Sequence, residues 1–441
     1  MHRGRETTSP PRYRRLLSNR AFARVFAAGL GSVAGSSIAG VCIVWLVYAS
    51  THSALDVAIL GTSWLAGAIL FSVFGGTWVD RYDRRRLMIG ADFARAAALG
   101  AVVLILQVAG FTLLPLLAAY FVVGAFTTIF SPAEQAIVPA LVEAPLVADA
   151  NGLVRSSRYA LQFVGVALGG VLIVTVGPLL GIAANSLTFA ISGLLLLGIV
   201  VPAPSGGRRP VARGSYLRDV ADGFRWLWRA TGFLQLTLSA TFFNFCSNLV
   251  GTFFVVFATL VLHGSALLYA FLLAVEVVGS AIGALLVGRT NAVRWAGRAW
   301  VVPYGAVSGA LVLALALFPV PEVAIAALFF LGLCSAFAGT AWLTAAQLLV
   351  PTEMQGRYFG IDGLGSVAIL PVAQIGGAFL ILAYGVRSSY EIAAILWILA
   401  GIAFLFPRAV WNLGYRPEPV TLRSDGGAPG TSGSPAENQG G

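Results

Sequence analysis

The sequence contains no lysine and little charge of any kind. All 28 of its basic Lys/Arg positions are arginine, and only 10% of the 441 residues are charged, against about 25% in an ordinary globular chain. Without lysine there can be no Walker-A loop and no Schiff-base chemistry. Cysteine is scarce too. Cys42, Cys246 and Cys334 lie far apart inside apolar runs, which argues against a disulfide framework and for small buried thiols. The sequence has no nucleophile-elbow Gly-x-Ser-x-Gly and no His-Glu-x-x-His, so enzymatic activity is not expected. Histidine is almost absent, and His52 and His263 are too scattered to form a metal site. No cofactor is expected.

What the sequence has in abundance is apolar length: 58% of its residues are hydrophobic. Stretches of about 20 apolar residues are the length that crosses a bilayer. They fall near 21–49, 55–79, 87–109, 112–134, 153–176, 179–201, 232–262, 266–288, 298–318, 321–349, 358–384 and 388–407. The breaks carry charge, proline or glycine, as at Asp80-Arg81, Gly110, Gly177-Pro178, Pro319-Val-Pro321 and Gly385-Val-Arg387. The first run is too long for a signal peptide and lacks a clear small-residue cleavage site, so it is read as a span.

The arginines test this count. With twelve spans and an inner N-terminus, 27 of the 28 arginines fall on the inner side and Arg387 stands alone outside. Positive charge accumulates on the cytoplasmic side, so both termini are expected there, in a multi-pass cell-membrane protein. The net charge of +10 does not point to nucleic acid, because the arginines sit between apolar stretches and not on one basic face.

The middle of the chain departs from the pattern. Residues 202–214 are rich in Pro, Gly and Arg, as in a flexible linker. Leu217, Val220, Ala221, Phe224, Leu227 and Trp228 then share one helical face, as expected of an amphipathic helix on the inner membrane surface. The expected organisation is an N-terminal segment 1–20, a six-helix bundle 21–201, a linker 202–231, a second six-helix bundle 232–408 and a disordered tail 409–441. The two bundles read as a tandem repeat at an offset of 212. Ser53-Ala54-Leu55 returns as Ser265-Ala266-Leu267, Gly67 as Gly279, Gly76 as Gly288 and Arg86 as Arg298. The most telling copy is Gln135-x-x-Val138-Pro139, which returns as Gln347-x-x-Val350-Pro351. Six spans is an even number, so both copies keep one orientation, as parallel repeats require.

Between the second and third spans stands Gly76-Thr-Trp-Val-Asp80-Arg81-Tyr-Asp83-Arg84-Arg85-Arg86. Arginines there hold the loop inside. A glycine four residues before an Asp-Arg pair, followed by an arginine run, resembles the signature loop of the major facilitator superfamily. The wording is similar to the branch of enterobactin exporters and macrolide efflux proteins, as is Gly356-Arg357 before the eleventh span. The resemblance implies an all-α membrane protein of twelve transmembrane helices in two six-helix bundles that rock about a central site. It also implies a cytoplasmic gate built from Gly76, Asp80, Arg81, Asp83, Arg84 and Arg85, with Asp92, Glu143, Arg357 and Asp362 as partners. Asp83 departs from the usual glycine, and the second-half copy keeps only Gly288 and Arg289, so the gate is expected to be asymmetric. Gly165-Val-Ala-Leu-Gly169-Gly170 lacks the proline of the family's antiporter motif and reads better as close helix packing through small residues.

Glu276 lies near the middle of the eighth span with no arginine nearby in sequence. A central acid costs about 2.5–3.5 kcal/mol on insertion scales, so it is a functional candidate by default, here for proton coupling. The alternative is a neutral glutamic acid hydrogen-bonded for packing. Asn244 and Asn248 share a face, and Gln162 and Gln374 sit at similar depths in the fifth and eleventh spans. Trp45, Tyr48, Phe126, Phe130 and Trp342 fall on spans that line the cavity in the resembling family. The expected function is a secondary transporter exporting an amphipathic small molecule of the drug or siderophore class. Its partners would be that substrate, protons and the lipid bilayer, and its expected state a monomer. The alternatives are a lipid-like or nutrient transporter, or a membrane sensor.

Overall fold

A computed structural model describes residues 12–81, 83–143, 146–199, 224–287 and 300–404, with the side chains at 12–13, 73–81, 136, 148, 231, 300–303, 352–353, 356–357, 359–360 and 363–364 outside the description. The Pro/Gly/Arg linker, most of the expected amphipathic helix and the C-terminal tail also lie outside the described residues. Residues 224–229, the end of that helix, are helical.

The described chain is helical because lipid offers the backbone no hydrogen bonds, so each N–H must be satisfied within its own segment. A short α1 (Arg12–Ser18) leads into α2 (Arg20–Thr51), α3 (Ala54–Arg81), α4 (Arg84–Ala109), α5 (Leu113–Leu141), α6 (Val147–Thr175) and α7 (Pro178–Leu197). The second series is α8 (Thr231–Thr252), α9 (Phe254–Leu260), α10 (Ala266–Val287), a π-helical turn Trp300–Val307 running into α11 (Ser308–Leu317), then α12 (Pro321–Leu349), α13 (Thr352–Ala368) and α14 (Leu370–Ala403). Among the described residues nine helices are long and apolar enough to cross a membrane, or ten if α8 and α9 count as one span bent by 43°. The shorter apolar helix Tyr304–Leu317 follows Pro303, whose missing N–H interrupts the regular ladder and accounts for the wider π turn.

The two ends of the helix array are built differently. At one end two of the helices, α2 and α4, begin on side-chain caps. Asn19 accepts from the N–H groups of Ala21 and Phe22 at 3.0 and 3.1 Å and donates to the Leu141 carbonyl at 2.7 Å, pinning α2 to the end of α5. Asp83 caps α4 through the N–H groups of Arg85 and Arg86. At the opposite end the chain turns tightly. Every positive-φ residue among those described lies there: His52, Gly110, Gly177, His263 and Gly385. Gly385 (φ 78, ψ 163) interrupts what would otherwise be one 34-residue helix, α14, between the two apolar runs that flank it. His52 and His263 take the same left-handed conformation, φ 50 and φ 51, at corresponding turns of the two series.

Close helix pairs repeat as well. In both series the second span packs most heavily on the fourth, α3 on α5 and α10 on α12. A Cβ added at Gly67 would fall on the Phe121 carbonyl, and one at Gly279 on the Phe329 carbonyl. The series touch each other mainly through α3 against α14 and α6 against α10. The 212-residue offset maps each of these two contacts onto the other. Gly165 and Gly169 press α6 onto the Ala34 and Ile38 carbonyls of α2, which bears out the packing reading of that glycine run.

Candidate functional site

The region between the two helix series holds the candidate site. At the tight-turn end it is closed. Trp45 of α2 stacks on Tyr269 of α10 with ring centroids 6.1 Å apart, and Phe254 of α9 packs on the same tyrosine at 5.9 Å. A Cβ at Gly170 of α6 would run into Ala270 of α10. On the other contact, Thr62 of α3 donates to Gln374 of α14 at 2.9 Å, and Gln374 is buried. Gln162, the residue 212 positions earlier, is exposed. Toward the arginine-rich end α6 and α10 part, leaving a cleft of about 460 Å³ between them.

Glu276 sits two turns along α10 from Tyr269, on the same face. It is half-buried and has no hydrogen-bond or ion-pair partner among the described residues. The helix is held rigid behind it, because Gly332 lets the Glu276 carbonyl lie directly against α12. A carboxylate so placed can accept or lose a proton without first breaking an ion pair. Asn244 and Asn248 on α8 are half-buried, and Asn248 accepts from Thr252 at 3.3 Å.

Other acids are already engaged. Asp92 is fully buried, accepting from Arg95 at 2.5 Å and from Ser192 of α7 at 2.6 Å. The Arg95 guanidinium lies over two rings, Phe189 at 4.1 Å and Phe130 at 4.6 Å, a geometry that adds cation–π attraction in a dry site. Glu134 on α5 pairs with Arg158 on α6. Glu143 pairs with Arg15 of α1 at 3.2 Å on the surface. Asp362, buried on α13, accepts from Thr237 of α8 at 3.0 Å. Its neighbour Tyr358 takes a hydrogen bond from the Trp342 indole at 3.3 Å.

The expected gate is only partly within the description. The side chains of Gly76, Asp80, Arg81 and Arg357 fall outside it. Asp83 is a helix cap. Arg85 donates to the carbonyls of Leu196, at 2.9 Å, and Leu197 at the end of α7, where a cation meets the negative end of the helix dipole. Its described bonds are therefore to carbonyls and not to Asp92, Glu143 or Asp362. Arg84 has interactions of its own. Of the expected cavity aromatics, Trp45, Phe126 and Trp342 are half-buried, whereas Tyr48 and Phe130 are buried in packing. Phe126 leans on Phe71 at 6.2 Å, and Tyr48 on His52 at 6.1 Å. Arg95 and Ser192 were not expected. The i, i+3 spacing of Asp92 and Arg95 inside an apolar run was the signal for the pair, while Ser192 is 100 residues away in sequence. No cluster of three metal-ligating side chains occurs among the described residues.

The sequence model of the Major Facilitator Superfamily matches residues 25–366. The chain is 29% identical over 230 residues to macrolide efflux protein A of Streptococcus pyogenes, covering 51% of this chain and 55% of that one. It is 29% identical over 253 residues to the multidrug efflux pump Tap of Mycobacterium tuberculosis (strain ATCC 25618 / H37Rv), covering 54% and 59%. The chain thus spans just over half the length of these curated relatives. Among solved structures, the nucleoside transporter NupG superposes with TM-score 0.70 at 11% identity, covering 87% of this chain and 98% of that one. A bacterial homologue of the human lysosomal transporter Spinster, inward-facing and unoccupied, superposes with TM-score 0.63 at 16% identity, covering 93% and 98%. Both likenesses concern the fold.

Proposed function

The chain belongs to the major facilitator superfamily, and from that premise we propose that it exports an amphipathic organic molecule of the drug or siderophore class by alternating access coupled to protons, with Glu276 as the coupling acid. The observation that carries the reading is the isolation of Glu276: a half-buried carboxylate in the middle of α10, between the two helix series, with no partner among the described residues. In this reading twelve spans form two six-helix bundles, 21–201 and 232–408. The break at Gly385, the bent pair α8–α9 and the short helix Tyr304–Leu317 support that count. The matched inter-series contacts, α3 with α14 and α6 with α10, are the surfaces about which the bundles would rock.

Both termini lie on the cytoplasmic side in this reading, because the arginine-rich end faces inward. Closure at Trp45–Tyr269 and separation of α6 from α10 at the other end then correspond to an inward-open arrangement. The gate of Asp80, Arg81, Arg84 and Arg85 would act at that inner end. The protein works as a monomer, and the efflux relatives support the direction and the substrate class.

The test is accumulation of a dye, macrolide and siderophore panel in efflux-deficient cells, comparing the wild type with Glu276→Gln, each with and without a protonophore. The expected result is lower accumulation with the wild type, abolished by either the substitution or the protonophore. Export that persists in Glu276→Gln would move coupling to another group. A panel with no responding compound would remove drug export.

A further inference from the structure

The cleft between α6 and α10 does not have Glu276 among its lining residues. It opens on the apolar perimeter of the helix array, since Leu285 on its rim is 73% exposed, and Phe163 and Ile282 are exposed as well. In a membrane-spanning chain such a perimeter faces lipid. Its polar groups gather at one end. Arg155 and Tyr159 lie near the start of α6 and the end of α10, while Phe163 and Val278 line the deeper part. Arg155 is exposed and has no acidic partner among the described residues, unlike its neighbour Arg158, which is paired with Glu134. Among the described residues no acidic side chain lines the cleft.

We propose that this cleft is a binding site for an anionic phospholipid of the surrounding bilayer, its acyl chain along Phe163 and Val278 and its phosphate on Arg155. The cleft is exposed on the perimeter at Phe163, Ile282 and Leu285, and its described cation, Arg155, lies at the end of the headgroups, so polar and apolar parts follow the order of a lipid held upright in its own leaflet. Basic pockets between spans on the cytoplasmic side bind anionic headgroups for this reason. The inference rests on the chain lying in a bilayer with its arginine-rich end inward, but not on the role of Glu276.

The experiment is native mass spectrometry of the detergent-solubilised full-length chain with dimyristoyl phosphatidylglycerol or dimyristoyl phosphatidylcholine, in the absence of any pH gradient. The wild type should retain phosphatidylglycerol about fivefold better than phosphatidylcholine, the effect of one arginine at a membrane surface. Arg155→Gln should erase the preference, while Arg20→Gln, an exposed arginine at the same end, should keep it. Val278→Trp, checked for monodispersity, should lower retention of both lipids by filling the cleft. Glu276→Gln should bind like the wild type, so loss of coupling and loss of this site are read separately. Equal retention of the two lipids by the wild type would overturn the proposal, as would a preference that survives Arg155→Gln. Displacement of the lipid by free glycerol 3-phosphate at equal concentration would also overturn it, since the site would then hold phosphate and not lipid.

Discussion

The two helix series share their packing but not their charges. Gly67 and Gly279 both admit a neighbouring carbonyl, and His52 and His263 turn the chain in the same way. Yet in α2–α7 the inward carboxylates are matched with arginine: Asp92 with Arg95, Glu134 with Arg158. In α8–α14 the deep acids, Glu276 and Asp362, have no arginine partner among the described residues; Asp362 has Thr237, and Glu276 has no described hydrogen-bond or ion-pair partner. The 212-residue offset places Trp64 opposite Glu276 and Tyr304 opposite Asp92. The two series share the contacts that hold their helices together but differ in the charges they carry. One half is neutralised internally and suited to be a fixed frame. The other keeps acids whose charge a proton can cancel.

The largest effect should come from breaking the neutralised half. Asp92→Ala leaves Arg95 buried and unpaired, which costs about 3–5 kcal/mol, and should collapse the yield of monodisperse protein in detergent. The double substitution Asp92→Asn with Arg95→Leu should recover much of that loss. Glu276→Gln, by contrast, should leave thermal stability at or above the wild-type value, because it removes a charge that no partner offsets. If Asp92→Ala and Glu276→Gln prove equally damaging, the distinction between the halves fails.

Packing should respond alike in both halves. Gly67→Val and Gly279→Val each drive a side chain into a carbonyl and should each destabilise by about 1–3 kcal/mol or more, read as matched drops in melting temperature. An unequal pair would show that the repeat is not a shared frame. Smaller still is the tie between the halves. Thr62→Val removes the hydrogen bond to Gln374, worth about 0.5–1.5 kcal/mol, and should shift the protein away from the arrangement closed at Trp45–Tyr269. Gln162→Leu, at the repeat-related but exposed position, should change little. A distance measurement between labels at the tight-turn ends of α3 and α14 distinguishes the two.

Much of this was legible in the sequence because the bilayer imposes simple demands. Apolar length marked the helices, Gly110, Gly177 and Gly385 marked the turns, and the position of Glu276 in an apolar run marked it as exceptional. The Gly165–Gly170 run could be read as packing because small residues have few other uses between spans. What could not be read depends on which helices meet. Nothing local shows that Ser192 reaches Asp92, that Phe189 lies over Arg95, or that Gln374 is covered while Gln162 is open. Phe130 looks like a cavity aromatic until Arg95 is found above it. Nor does an apolar run from 232 to 262 announce a 43° bend at Phe253: Gly251, two residues earlier, is the one local signal, and a glycine inside a span is read as readily as packing.

The central claim, that the unpaired acid of the second half carries the coupling proton, is tested most directly in proteoliposomes enclosing a pH-sensitive dye. A compound identified from the export panel is added to one side and the proton movement it drives is recorded. The account predicts proton movement with the wild type and none with Glu276→Gln, while the substituted protein still binds the compound and Asp362→Asn still moves protons. Proton movement of wild-type size in Glu276→Gln would contradict it.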